Sequence, residues 1–395
     1  MAPPFAVPGP TGQRPVASHK YSCLPCSRFR QSSAARFGIE RSEYSERCEV
    51  SRVLLRPAMD HAAAADPEKQ RKGVAPPMTW RTRLSILAAG CVTDATCRAD
   101  GTINRRVLDF LDPHVPASTA PCKGVATRDV DVDPALPLRA RLFYPCPDSA
   151  GGVGDAKPLP VVVFFHGGGF AYLSAASRAY DAACRRIARY AGAAVLSVDY
   201  RRSPEHRYPT PYDDALAALR FLDDPKNHPT AADVPPLDVT RCFVAGDSAG
   251  ANIAHHVARR YALASHTFTT LRLAGLIAIQ PFFGGEERTP AELRLVGAPI
   301  VSVPRTDWLW RAFLPPGADR THEAAHAAAP AGAAGIYSPS FPPTTVVIGG
   351  YDPLQDWQRR YCETLRGRGK AVRVLDYPDA IHAFYIFPEV KASTN

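Results

Sequence analysis

Three residue types able to do acyl chemistry recur along this chain in one order: a serine, then an aspartate, then a histidine. Gly246-Asp247-Ser248-Ala249-Gly250 fits the pattern G-x-S-x-G. Alone the match says little, since roughly one chain in ten of this length would carry it by chance at ordinary Gly and Ser frequencies. Its setting says more. The apolar run 242–245 precedes it and the amphipathic stretch 251–262 follows it. That is a strand–turn–helix context, in which a sharp turn holds the serine with its hydroxyl exposed and small neighbours let helix and strand approach. A serine is a weak nucleophile at neutral pH and needs an adjacent base. Asp352 stands directly after the apolar run 344–349, and His382 lies in the loop after the next run, 372–377. Both positions suit the Ser, Asp, His order of a strand-mounted triad, with Ser248 as nucleophile, His382 as base and Asp352 as its orienting acid. Plainer accounts, a turn-forming Asp before Pro353 and a surface histidine, weigh little beside the serine turn. Asp356 and Asp379 are the competing acids, and neither immediately follows a strand.

A glycine run strengthens this reading. His166-Gly167-Gly168-Gly169-Phe170 follows the apolar segment LPVVVFF. Glycines after a strand free backbone N–H groups to face a substrate oxygen, as in the oxyanion loops of lipases and esterases. One further pattern is set aside. His322-Glu323-Ala324-Ala325-His326 matches H-E-x-x-H. It runs straight into AAAPAGAAG, where Pro330 stops a helix, and the next carboxylate is Asp352.

The elements that must position these groups follow from the hydrophobic pattern. Apolar runs at 159–165, 193–198, 240–245, 274–279, 344–349 and 372–377 alternate with helical stretches such as 176–191 and 251–262. Short continuous apolar runs suit strands buried on both faces. Strand and helix in alternation predict an α/β fold with a mostly parallel central sheet and helices on both faces. Upstream, 79–89 has helical spacing, 98–104 breaks it, and 105–111 forms a second short helix. This makes residues 76–125 a candidate lid on a hydrolase domain spanning 76–395. Residues 324–335 read as a surface connection.

Residues 1–75 look different. They hold 12 Lys/Arg against 7 Asp/Glu, so they carry five of the nine net positive charges. A segment so rich in Pro, Ser and Arg buries little apolar surface and is expected to be disordered. Residues 1–58 read either as a transit peptide or as a stretch preceding a true start at Met59. The second is favoured, because a short polar lead follows Met59. The expected location is cytosolic, with a plastid address open if residues 1–58 are translated.

Composition excludes other classes. No stretch has the 18 or more apolar residues of a membrane span. The near-balanced charge of the remaining 320 residues offers no basic face for nucleic acid. Ten cysteines in 395 residues do not make a disulfide scaffold. Cys184, Cys242 and Cys362 sit in apolar runs and read as free buried thiols. Cys23 and Cys26 form a C-x-x-C with only Cys48 nearby, too few ligands for zinc. No cofactor or metal is expected.

The motifs together resemble a family. His166-Gly-Gly-Gly-Phe170, Asp199-Tyr200-Arg201-Arg202-Ser203-Pro204-Glu205-His206-Arg207-Tyr208-Pro209 and Gly246-Asp-Ser-Ala-Gly250 resemble the hormone-sensitive-lipase branch of the α/β-hydrolase fold. Asp100-Gly-Thr-Ile-Asn-Arg105, Ile279-Gln-Pro-Phe-Phe-Gly-Gly-Glu286 and His382-Ala-Phe-Tyr-Ile-Phe-Pro388 are similar to plant carboxylesterases related to the gibberellin receptor. The likeness runs from about Pro76 to Glu389 and leaves residues 1–58 without a counterpart. It implies a serine carboxylesterase acting on small acyl esters, with a lid near 76–125 and oxyanion donors at Gly168, Gly169 and Ala249. It implies that Gly167, Asp247 and Tyr385 lie at the substrate. Two alternatives stand on the same scaffold: a receptor-like binding protein and a dehydratase. The receptor branch lacks the histidine kept here as His382, and tends to carry Ser where this chain has Ala249. Arg202 and Ser203 replace the usual Leu-Ala. The resemblance also implies a further amphipathic helix after the His382 loop. The chain stops at Asn395, so an exposed apolar patch is expected in its place.

Overall fold

A computed structural model describes residues 78–98, 100–146, 157–229, 234–327, 329 and 333–387. The expectations for residues 1–75, Met59, the C-x-x-C and the segment beyond Phe387 lie outside the described residues.

The strands are β1 (Val125–Asp133), β2 (Leu138–Pro145), β3 (Leu159–Phe165), β4 (Ala194–Asp199), β5 (Leu237–Asp247), β6 (Leu273–Ile279), β7 (Thr344–Tyr351) and β8 (Val372–Ile381). They form one sheet in the order β1-β2-β4-β3-β5-β6-β7-β8. The pairs from β4 to β8 are parallel, while β1 and β2 join antiparallel at one edge. Among the described residues eight α-helices accompany them: α1 (Trp80–Thr96), α2 (Arg105–Leu111), α3 (Arg178–Ala191), α4 (Thr210–Asp223), α5 (Ala249–Ala264), α6 (Pro290–Arg294), α7 (Val303–Phe313) and α8 (Gln355–Gly367).

The apolar runs become strands because both of their faces are covered. Successive strand side chains point to opposite faces. Val161, Val163 and Phe165 join a core with Leu219 of α4, Val257 of α5 and Leu365 of α8. Val162 and Phe164 join another with Tyr180, Cys184 and Ile187 of α3. Each such apolar side chain contributes about 1.5–3 kcal/mol on burial.

The segment expected to be a lid contains α1 and α2. Thr79 caps α1 by accepting from the Thr82 N–H at 3.2 Å. Within the expected break, the Asp100 carboxylate accepts from the Thr102 N–H and hydroxyl at 2.9 and 2.7 Å. Arg105 then fastens α2 to the body: its guanidinium donates to the backbone oxygens of Ala171 and Ser203 and pairs with Glu205. Trp80, Leu84 and Leu87 on the outer face of α1 stay exposed.

Candidate active site

Ser248 sits alone between β5 and α5, at φ 52° and ψ −118°. This left-handed backbone is strained for a side-chain-bearing residue, at a cost of order 1–3 kcal/mol. Its surroundings enforce it. The Ser248 N–H donates to Ile279 O at 2.9 Å, and Ser248 O accepts from the N–H groups of Phe282 and Asn252 at 2.9 and 3.1 Å. Gly250 is required two residues on, because a Cβ there would collide with the carbonyls of Phe165 and His166 at the end of β3. The N-terminus of α5 can therefore pack against that strand and project Ser248 into the cleft.

His382 directly follows β8 and is 2% exposed. Its Nε2 lies 2.9 Å from Ser248 Oγ, and its Nδ1 lies 2.8 Å from Asp352 Oδ2. Asp352 follows β7 and is fully buried. Its Oδ2 also accepts from Gln280 Nε2 at 3.2 Å and Gln358 Nε2 at 2.9 Å, and its Oδ1 from the Leu354 N–H at 2.9 Å. A carboxylate ringed by donors can only accept, so the imidazole proton sits on Nδ1. Nε2 is then left to accept from the Ser248 hydroxyl. Of the competing acids, Asp356 opens α8 and accepts from the Ala291 N–H at 2.8 Å, and Asp379 lies within β8.

The glycine loop after β3 takes left-handed backbone angles, with φ 95° at Gly168 and 60° at Gly169. Among the described residues the N–H groups of Gly168, Gly169 and Ala249 donate to no other group. Gly168 and Gly169 share the cavity wall with Ser248. His166 anchors the loop from below. It stacks on Tyr200 at 4.2 Å, and its Nδ1 contacts Gly167 O at 2.9 Å. Burial pushes its pKa down to about 3, so it stays neutral.

The structure brings Asp247 to the cavity but sets Gly167 and Tyr385 one layer behind it. The Gly167 N–H is used in donating to the Tyr180 hydroxyl at 2.7 Å, and that hydroxyl donates to Asp247 Oδ2 at 2.9 Å. The Tyr385 phenol is buried near Asp247, whose charge and the burial raise it well above the usual range. Tyr385 does not line the cavity, and Ala383, at φ 59°, turns the chain after His382. Burial raises the Asp247 carboxyl to about 6.

Ser248 and His382 open into a cavity of about 300 Å³. Ala89, Val92 and Thr93 of α1 and Leu108 and Leu111 of α2 roof it, and Arg305, Thr306 and Leu309 of α7 wall it. Arg305 also crosses to α1, donating to both Asp94 oxygens at 2.9 and 2.7 Å. The H-E-x-x-H segment is otherwise occupied, with Glu323 accepting from Tyr208 at 2.7 Å and Arg259 at 3.3 Å. Among the described residues no group of three or more His, Cys, Asp or Glu is placed to hold a metal. Nor is any helix there long and apolar enough to cross a membrane.

Known proteins resemble this chain in sequence and in fold. Residues 162–386 match the family model described as the alpha/beta hydrolase fold. The chain belongs to the α/β-hydrolase fold family. Within it, this hydrolase falls among plant relatives of two kinds. It is 42% identical over 298 residues to gibberellin receptor GID1C of Arabidopsis thaliana, across 74% of this chain and 84% of that protein. It is 34% identical over 304 residues to probable carboxylesterase 8 of the same plant, across 75% of this chain and 88% of that protein. Among solved structures, an esterase of Pyrobaculum calidifontis superposes with a TM-score of 0.57 at 25% identity, covering 80% of this chain and 93% of that one.

Two site residues escaped the sequence reading. Gln280 and Gln358 both reach Asp352. A signal for the first exists: a buried polar residue at the carboxyl end of an apolar parallel strand lies where such sheets build their sites.

Proposed function

We propose that this α/β-hydrolase is a serine carboxylesterase for small acyl esters. The observation that carries the reading is the unbroken hydrogen-bonded line from Asp352 through His382 to Ser248 at the floor of a roofed, mostly apolar cavity. Ser248 Oγ attacks the ester carbonyl as its proton passes to His382 Nε2, and Asp352 holds the imidazole in the required tautomer. The N–H groups of Gly168, Gly169 and Ala249 stabilise the oxyanion. The protonated imidazole gives its proton to the departing alcohol. Water then adds to the acyl-enzyme with His382 again as base, which releases the acid and restores Ser248. Residues 76–395 act as one hydrolase domain, with 76–125 as its lid and Asp247 on the substrate wall.

The test is hydrolysis of p-nitrophenyl acetate and butyrate by the wild type beside Ser248→Ala and His382→Ala. The expected result is turnover that either substitution lowers by about 10⁴–10⁶-fold. A second reading, ligand binding without turnover, is favoured by the identity to the gibberellin receptor. A folded wild type inactive on every acyl ester would make that reading the better one.

A further inference from the structure

Gln280 lies in a turn that touches every member of the Ser248, His382 and Asp352 line. It directly follows β6 and has φ 45°, an unusual backbone for a long side chain. Its own N–H donates to Val347 O of β7 at 2.9 Å. Its chain neighbours grip the serine from both sides: Ile279 O accepts from the Ser248 N–H, and the Phe282 N–H donates to Ser248 O, each at 2.9 Å.

The side chain of Gln280, fully enclosed at 1% exposure, reaches the other two residues. Nε2 donates to Asp352 Oδ2 at 3.2 Å and to Ile381 O at 3.0 Å, while Oε1 accepts from the Ala383 N–H at 2.8 Å. Ile381 and Ala383 are the residues on either side of His382. The amide has only one orientation that works, since a backbone N–H can only donate and a backbone carbonyl can only accept. The fit is close, because a Cβ on Gly349 would stand 2.5 Å from Gln280 Nε2.

His382 needs such a tie. It follows β8, which among the described residues is the edge of the sheet and is paired on one side only. Ala383 at φ 59° then reverses the chain. Without a partner for Ile381 O and the Ala383 N–H, the imidazole would lose the backbone that aims it at Ser248 and Asp352. Gln358 provides the contrast. It donates to Asp352 Oδ2 at 2.9 Å and to Pro281 O at 3.4 Å, and it makes no bond to the residues flanking His382.

We infer that Gln280 is a positioning residue whose single amide sets His382 in register with both Ser248 and Asp352. This rests on the triad proposed above. Gln280 does not line the cavity, so its loss acts on the chemical step and not on substrate binding.

The experiment compares Gln280→Met, Gln280→Glu and Gln358→Met with the wild type on p-nitrophenyl butyrate, each first shown folded by circular dichroism. Gln280→Met keeps the volume and loses all three bonds. Gln280→Glu keeps the shape and an acceptor for the Ala383 N–H, but places an oxygen against Asp352 and Ile381 O. Both are expected to lower kcat by about 10²-fold, as an ångström-scale misplacement does, with KM little changed. Gln358→Met is expected to lose clearly less. The independent readout is the low-field proton NMR resonance of the His382 Nδ1–H, expected to shift or broaden in both Gln280 variants and to move clearly less in Gln358→Met. Equal losses in kcat for all three variants, or a Gln280 effect confined to KM, would overturn the inference. So would an unmoved Nδ1 resonance in folded Gln280→Glu. If the wild type hydrolyses no ester, the esterase reading fails, and the resonance alone still decides whether Gln280 holds the imidazole.

Discussion

Arg105 and Glu205 lie 100 residues apart in the chain and meet in a two-pronged ion pair, with Arg105 Nε donating to Glu205 Oε1 at 3.0 Å. The same guanidinium donates to Ala171 O, beyond the glycine loop, and to Ser203 O. The turn Asp100–Arg105 and the segment Ser203-Pro-Glu205 are therefore two halves of one clamp, holding the cavity roof and the glycine loop together. A partly exposed ion pair is worth little by itself, but Arg105→Met also leaves two carbonyls without their donor. The variant is expected to lose about 1–3 kcal/mol of stability and to show a raised KM for p-nitrophenyl butyrate. Urea titration and steady-state kinetics check both. Unchanged KM with lowered stability would show that the clamp serves folding alone.

Gly169 is where the oxyanion reading is most exposed to test. Its φ of 60° disfavours any other residue, and an added Cβ would strike the Leu309 side chain. Gly169→Ala should displace a donor from the loop and lower kcat by about 10²–10³-fold. Retention of wild-type kcat in a folded Gly169→Ala protein would remove Gly169 from the oxyanion site.

Asp94 and Arg305 make a second contact to the cavity roof, at the cavity wall itself. Hydrogen bonding and the charge of Arg305 hold the Asp94 carboxyl below its usual range. The Asp94 side chain is well exposed, so salt should screen the pair. Asp94→Asn is expected to raise kcat/KM for bulky esters by about 1.5–5-fold, the equivalent of a surface ion pair. It should also abolish a rise in wild-type kcat/KM between low and high salt. Salt dependence that survives in Asp94→Asn would assign it to other charges.

Which parts of this fold were legible depended on how local their signals were. Leu159–Phe165 was readable to the residue because both of its faces are buried, so its apolar run is unbroken. The antiparallel edge was missed. Val125–Asp133 alternates apolar with charged residues, and its burial fades toward one end. That is a period-two signal, which a search for continuous apolar runs passes over. The lid helix was read as ending near Ala89 but continues to Thr96. Its last turns are rich in Thr, a weak helix former, and they persist with the Thr93 and Thr96 hydroxyls bonded back to Ala89 O and Val92 O. Ser248, Asp352 and His382 could be named because each directly follows or soon follows an apolar run. Gln280 could not be assigned to Asp352, since its contacts lie 72 and about 100 residues away.

Acid sensitivity follows from buried histidines outside the site. Burial pushes His166 down to about 3 and holds His255 and His256 well below their usual range. Each titrates near 6.5 once unfolded. As pH falls through about 6.5, the unfolded chain takes up three protons that the folded chain refuses, so stability is lost on acidification. Asp247 works the other way. Its folded carboxyl, raised to about 6, keeps a proton that the unfolded group releases near 3.9, so its contribution is lost as pH rises through 6. Three protons outweigh one. Near pH 5 these four groups alone should make stability climb by about 2–3 kcal/mol per pH unit. Urea unfolding at pH 5, 6 and 7 would read this slope. His256→Phe keeps the stack on Tyr212, now at 4.5 Å, and should reduce the slope by about one proton's worth, roughly 1.4 kcal/mol per pH unit. An unchanged slope in that variant would mean that His256 is protonated in the folded protein, and that the Arg259 guanidinium 2.9 Å from its Nδ1 does not keep it neutral.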